Sequence, residues 1–474
     1  MIFFAFFSFL MILVFIIFLN YIYYFLILNI NENFFSIAAT NIFSYLHPEN
    51  TLFFDTSIYL KFLGFDNISF IFIFFTIFIF FLCFIYQISS ISSIFIFINL
   101  INLLFMEALV IGIFMTFNMI TLYILFESTL ICMFIYIGLY GSRSRKVLAY
   151  FLLMIYTLIT ALLVLLAILF IIKHVGSADM IAICNTSFSY SHQQLLFIPF
   201  FLAFAAKIPI FPLHIWLPEA HVEAPTIGSV ILAAILLKIG VYGLIRFNLG
   251  FFPDASLYYT PIIYSLCSLG VIYGSLAAVR QIDLKRIVAY SSVAHMNLIV
   301  IGIFSFNFLA LEGALLQSIS HGFVAGALFF LIGILYSRYH TRSIFYYGGL
   351  VQVMPLFSFY FLFFTMANIA LPGTSSFIGE FLILLGCFVS NYFITFIIVC
   401  SVVLGGSYSL WLCNRILYGN IKYLFLSKFF DLTSKEFFIL FILTICVLFF
   451  GLFPFIFTNF IHSSTIFYLL KFLI

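Results

Sequence analysis

Five charged residues of this 474-residue chain stand deep inside long apolar runs: Glu107, Glu127, Lys207, Lys238 and Glu380. At the centre of a bilayer each costs about 2.5–3.5 kcal/mol, and five cost on the order of 12–17 kcal/mol, comparable to the stability of a whole domain. Buried ion pairs seldom add net stability, so a chemical use is the stronger reading of these charges. Proton transfer is the chemistry they suit. A desolvated lysine gives up its proton more readily than an exposed one, and a nearby carboxylate restores its hold. Moving one charge across 100 mV costs about 2.3 kcal/mol, within reach of a modest change in such a pairing. Both basic residues inside the runs are lysines, which can do this, whereas arginine stays protonated. His295 (SSVAHMN) and His321 (SISHGFVAG) extend the row, with Ser291, Ser292, Ser318 and Ser320 nearby to hold water.

Depth sharpens the pattern. Glu107 precedes the turn at Asn118 by about 11 residues and Glu127 follows it by about 9, roughly 14–16 Å from that surface at 1.5 Å per residue. Lys207 lies about 12 residues before Glu219 and Lys238 about 14 after Ala224, roughly 18–21 Å from the other surface. In a hydrocarbon core about 30 Å thick, all four fall near one plane, where a lateral proton relay would run. Helix breakers mark the same places. Pro209, Pro212 and Pro218 follow Lys207, and Pro372 and Gly373 precede Glu380. Interrupted backbone at membrane depth is tolerated only where it lines a cavity or is packed in protein. Trp216 reads as a packing or interfacial residue.

The elements that must hold these residues are membrane helices. Hydrophobic residues make up 66% of the chain and charged ones 7%, against about 25% charged in a soluble domain. The apolar runs are about 20–30 residues long, which suits helices rather than the ~10-residue strands of a barrel. The fold class is therefore an all-α polytopic membrane protein. Thirteen helices are predicted, at 2–30, 67–88, 93–117, 119–141, 147–172, 196–218, 225–248, 258–279, 286–306, 308–336, 355–388, 390–418 and 436–460, with the tail 461–474 at the interface. Residues 2–30 lack the basic start and cleavage site of a signal peptide. The 72 Phe and 28 Tyr are residues that an AT-rich genome favours, a hint of an organelle origin. The eight cysteines form no CxxC pair, and no GxGxxG or Walker loop is present, so no metal or nucleotide site is expected. The net charge of +3 says little about partners; lipid is required, and nucleic acid is not expected.

Loop charges set the orientation. Arg143, Arg145, Lys146, Arg280, Lys285, Arg286, Arg338, Arg342, Arg415, Lys422, Lys428 and Lys435 fall in loops on one face, leaving Lys61, Lys173, Arg246 and Lys471 for the other face or the tail. The first face is the inner one. Helices between 93 and 248 and between 258 and 418 form two groups of five. Five is odd, so a second copy following directly is inverted, the plan of many transporters. The expected domains are 1–92 (N-terminal helices and an outer-side loop), 93–248 (first repeat, proton uptake), 258–418 (second repeat, proton release) and 436–474 (terminal helix and tail).

KIPIFPLHIWLPEAHVEAPTIGSVILAAILLKIGVYGLIR (207–246) closely resembles the signature stretch of the subunit 4 family of the proton-pumping NADH dehydrogenase, one of three antiporter-like subunit families of respiratory complex I. FDNIS (65–69), LYILFESTLICMFIYIGLYG (122–141), LKRIVAYSSVAHMN (284–297), SHGFVAGALF (320–329) and LPGTSSFIGEFLIL (371–384) carry the resemblance further, over roughly 65–474. It implies two inverted five-helix repeats. It implies that Glu127 and Lys207 are the coupled pair of the first half-channel, Lys238 the lysine of the next helix, His295 and His321 the central polar axis, and Glu380 the terminal group of the second half-channel. Glu107 also has a counterpart in the family. Flavin and iron–sulfur clusters would sit on partner subunits, none on this chain. The partners implied are the other membrane subunits, especially the sister subunits 2 and 5, with accessory subunits and lipid; the place is the mitochondrial inner membrane. The family has 14 helices, so the first is read as lost or supplied by another chain.

Two other functions fit the same architecture. A Na⁺/H⁺ antiporter of shared ancestry would favour Lys at position 380, where this chain has Glu. A scaffold that had lost pumping would show gaps in the relay, yet each titratable position is filled.

Overall fold

The computed structural model describes residues 66–88, 94–141, 143–422 and 430–470, with Gly64 and Phe472. All of them but Gly64 fall in the compact unit Asp66–Ile474. The expected first helix at 2–30, the loop 31–66 up to Asp66, and Lys61, Lys428 and Lys471 lie outside the described residues.

The chain forms α1 (Asn67–Ile88), α2 (Ile94–Met115), α3 (Met119–Tyr140), α4 (Lys146–Val175), the short α5 (Met180–Cys184), α6 (Tyr190–Lys207), α7 (Trp216–Glu223), α8 (Thr226–Leu249), α9 (Pro253–Arg280), α10 (Leu284–Ile303), α11 (Phe308–Tyr339), α12 (Pro355–Asn368), α13 (Ser375–Ser390), α14 (Tyr392–Leu417), α15 (Ser434–Leu452) and α16 (Pro454–Leu470). Among the described residues, ten helices are long and apolar enough to cross a membrane. The pairs α6–α7 and α12–α13 supply interrupted crossings. Asparagines start several helices by accepting from backbone N–H groups: Asn118 at α3, Asn307 at α11 and Asn391 at α14. Thr433 and Glu436 form a reciprocal capping box at α15.

Three predicted helices are divided. The 196–218 run ends as a helix at Lys207 and resumes at Trp216, because the prolines at 209 and 212 cannot donate to a helical ladder. Trp216 is buried at this break and its Nε1 donates to the Ala206 carbonyl at 2.8 Å, holding the two pieces together. The 355–388 run breaks between Asn368 and Ser375, where Gly373 takes φ 95°. The third division was not expected. The 436–460 helix stops at Leu452, and Pro454 opens α16, which continues to Leu470. This helix packs on α1 and α11, and Asn67 Nδ2 donates to the Phe460 carbonyl at 2.9 Å.

α8 is buried over all but Thr226 and Arg246, and α11 is buried from Ala310 to Leu335. α11 packs on α10, α13, α8, α12, α15 and α16, so it forms the axis of the unit. Small residues let α13 approach it. A Cβ added at Gly379 would lie 2.8 Å from the Gln317 Cα, and one at Gly386 2.7 Å from the Ala310 nitrogen. Both interrupted helices occupy the fourth place in a run of five long crossings: α6–α7 in α2, α3, α4, α6–α7, α8, and α12–α13 in α9, α10, α11, α12–α13, α14.

Candidate functional site

The centre of the site lies where α8, α10, α11 and α13 meet. α8 is not a uniform α-helix: wider π turns at Leu232–Leu236 and Leu244–Leu249 flank Lys238. Such turns loosen the backbone hydrogen-bond ladder and gather at functional positions. Lys238 is 1% exposed, and its Nζ donates to the Ala233 carbonyl at 2.6 Å. The same Nζ lies 3.1 Å from His321 Nδ1 on α11. The rings of His321 and His295 lie 5.7 Å apart between centroids. His295 Nδ1 on α10 lies 3.0 Å from Glu380 Oε1 on α13.

These contacts order the groups as Lys238, His321, His295, Glu380. The sequence pattern brings all four to one region and leaves the pairing open, since ring direction depends on how α10 and α11 are rotated. Glu380 contacts His295 rather than His321. Gln317, which charge-based reasoning missed, donates its Nε2 to Glu380 Oε1 at 3.0 Å and accepts from Ser320 Oγ at 3.0 Å. A neutral amide in an apolar helix carries little sequence signal; its spacing of four from His321 is the one cue.

A cavity of about 30 Å³ lies against His295 and Glu380, lined also by Ser275, Asn368, Ser401 and Tyr408. Its volume and polar lining suit a water molecule. Its lining runs from Ser275, five residues or about 7.5 Å from Arg280, to Ser401, fourteen residues or about 21 Å from Arg415, so the cavity lies at mid-depth.

Lys207 is the last residue of α6, at a helix C-terminus whose dipole favours a cation. It is 3% exposed. Its Nζ sits 4.0 Å from the centroid of the Phe126 ring on α3 and has no hydrogen-bond partner. Glu127 follows Phe126 on the same helix, and its Oε1 is likewise unpartnered. The expected pair is thus adjacent but not in direct contact: the Phe126 ring takes the position over Lys207. Beside it, an apolar cavity of about 20 Å³ is lined by Tyr123, Phe126, Phe200, Phe204 and Phe247. Glu107 is buried on α2 and belongs to none of these contacts.

Two residues counted as solvated loop charges are buried. Lys285 is 1% and Arg342 3% exposed. Lys285 Nζ donates to the Ala224 carbonyl at 2.8 Å, and Arg342 Nη1 donates to the Val222 carbonyl. Both satisfy carbonyls left open at the C-terminus of α7.

Among the described residues, no group of three or more His, Cys, Asp and Glu is placed to hold a metal ion. All eight cysteines are free.

Comparison with known proteins places this geometry. The family described as "NADH:quinone oxidoreductase/Mrp antiporter, TM" matches residues 116–405. NADH-ubiquinone oxidoreductase chain 4 of Marchantia polymorpha is 51% identical over 358 residues, 76% of this chain and 72% of that protein. The chain of the same name from Acanthamoeba castellanii is 42% identical over 423 residues, 89% of this chain and 84% of that protein. A chain of respiratory complex I from Thermus thermophilus with bound NADH superposes with a TM-score of 0.80 at 28% identity, covering 86% of each. A row of buried titratable groups beside interrupted helices, within a helical unit that this sequence shares with these proteins over most of its length, leaves one assignment: the chain belongs to the NADH-ubiquinone oxidoreductase chain 4 family, the proton-translocating membrane subunits of complex I.

Proposed function

We propose that this chain moves protons across the mitochondrial inner membrane through Lys238, His321, His295 and Glu380, fed by Glu127 and Lys207 and driven by redox chemistry on other subunits. The observation that carries the reading is the run of contacts from Lys238 Nζ through the two imidazoles to Glu380 Oε1. Each imidazole can take a proton at one nitrogen and release one from the other, so a proton advances without the ring leaving its place. The lysine offers a proton donor at one end and the carboxylate an acceptor at the other. Gln317 holds the carboxylate, and the cavity beside it has room for the water that must carry the proton onward.

The chain then acts as a subunit of an oxidoreductase complex. Flavin and iron–sulfur clusters belong on partner subunits in this reading, which the absence of paired cysteine motifs in the sequence supports. The sister antiporter-like subunits 2 and 5, accessory subunits and lipid are the partners it implies. Mitochondrial relatives of this family support the inner-membrane location.

The test is proton pumping by the assembled complex in sealed vesicles, with His295→Gln beside the parent. Loss of most pumping, with assembly intact, is the expected result. Parental pumping and turnover in an assembled His295→Gln complex would end the relay reading.

A further inference from the structure

Two histidines outside the relay meet on the face opposite the basic loops. α4 leaves the basic loop at Lys146 and reaches the other face in its last turn, which carries His174. α6 starts on that same face, with His192 in its first turn. The two rings lie 5.5 Å apart between centroids, with planes at 72°.

Both rings are held by packing. Phe170, one turn earlier on α4, lies nearly parallel to His174 at 6.5 Å and edge-on to His192 at 5.5 Å. Buried Phe188, in the connection between the helices, lies against His174 at 5.7 Å. Among the described residues no hydrogen bond engages either imidazole, and neither ring is fully buried, so their nitrogens are open to a partner from solvent.

The spacing fits one kind of partner. Zinc binds an imidazole nitrogen at about 2.0–2.1 Å, which puts the ring centroid about 3.2 Å from the ion. Two imidazoles on one tetrahedral ion then have centroids about 5.2 Å apart. The observed 5.5 Å is within a few tenths of an ångström of that separation. The local field also favours a cation, because the last carbonyls of α4 end here. Lys173 is exposed beside His174, but successive helical residues point about 100° apart. Imidazole ligands select zinc, copper or nickel over magnesium or calcium.

We propose that His174 and His192 bind a divalent transition-metal ion, zinc above all, on the face opposite the basic loops, with water completing its shell. Two protein ligands leave open positions, so the ion exchanges with solvent, unlike that of a closed structural zinc centre. The bound ion ties the end of α4 to the start of α6 and so clamps the connection 176–189. Sequence spacing conceals the site, because the ligands come from two helices that only this connection brings together. The site is independent of the relay, since neither histidine belongs to it.

The test uses the assembled complex in sealed vesicles that expose this face, with Zn²⁺ alone as the probe. The parent is compared with His174→Gln, His192→Gln and His174→Cys. Gln removes the imidazole without adding charge, and Cys restores a zinc ligand. Two quantities are read: zinc bound at equilibrium, and the rate at which a serine protease cuts the segment 176–189. In the parent, Zn²⁺ added at this face is expected to add one bound ion and to slow cutting roughly tenfold at about ten times its half-saturating concentration, as binding to the closed form alone requires. Each Gln variant is expected to lose that ion and the protection while keeping parental turnover without zinc, and His174→Cys to retain both. Should one Gln variant fail to assemble, the other decides. Absence of protection in the zinc-saturated parent overturns the proposal. So does parental binding and protection in either assembled Gln variant, which would mark the zinc as adventitious or held elsewhere.

Discussion

Replacing Gln317 by Met tests how the relay's last carboxylate is held. The exchange nearly conserves shape and removes only the amide. Ser320 is not orphaned by it, because its Oγ also donates to the Gln317 main-chain carbonyl at 3.0 Å. Glu380 Oε1 loses one of two close partners and keeps His295 at 3.0 Å. A hydrogen bond to a charged group is worth about 1.5–3 kcal/mol. At 1.4 kcal/mol per tenfold, losing that bond weakens the hold on the Glu380 carboxyl in this position by roughly 10- to 100-fold. With the carboxyl less firmly placed against His295, coupled turnover is expected to fall by about tenfold or more. The assay is NADH-driven proton uptake or release in vesicles beside NADH:quinone turnover, with Gln317→Glu as a polar comparison. Unchanged turnover and unchanged pumping in Gln317→Met would refute the idea that this amide tunes the release group.

Two further outcomes are expected. Lys207→Met is expected to remove most pumping with assembly intact, and Glu127→Gln combined with it is expected to be non-additive by about 0.5–3 kcal/mol, the range for interacting neighbours; strict additivity would show that Phe126 isolates the two groups rather than joining them. In sealed vesicles, protease sites near Arg143, Arg280, Arg338 and Lys422 are expected to open from one side and the segment between α4 and α6, residues 176–189, from the other; cutting of both sets from one side contradicts the topology.

Much of this architecture is legible in the sequence, for physical reasons that differ by element. Apolar runs fix the helices because lipid leaves no other way to satisfy the backbone. Pro209 and Pro372 fix two breaks because a proline cannot donate. The break at Phe453–Pro454 is harder to read, since Phe455 and its neighbours keep the run apolar across it. Buried charges announce themselves by their cost, which is why Lys207, Lys238 and Glu380 stand out and neutral Gln317 does not. The burial of Lys285 and Arg342 is invisible to charge counting, because every cation near a helix end looks solvated until the open carbonyls of α7 are placed beside it. The contact of Glu380 with His295 rather than His321 needs the rotations of α10 and α11, which depend on packing around α11 and not on spacing alone.

The contact of Glu380 with His295 bears on how a relay ending there would keep its direction. Glu380 is 5% exposed, with His295 Nδ1 and Gln317 Nε2 each 3.0 Å from its Oε1. A proton passed from His295 to Glu380 can return through the same contact, so net transport requires that contact to open before release, and with it a second arrangement of α13. α13 is suited to provide one. It begins after a non-helical break, so its first turn is not bound to α12 by a continuous ladder. Its approach to α11 runs through Gly379 and Gly386, where the two backbones come close and the Gln317–Glu380 hydrogen bond is the polar tie between them. A shift of α13 along α11 would part Glu380 from His295. In the relay proposed above, the contact that completes the path is thereby also the one whose breaking would keep protons from running back.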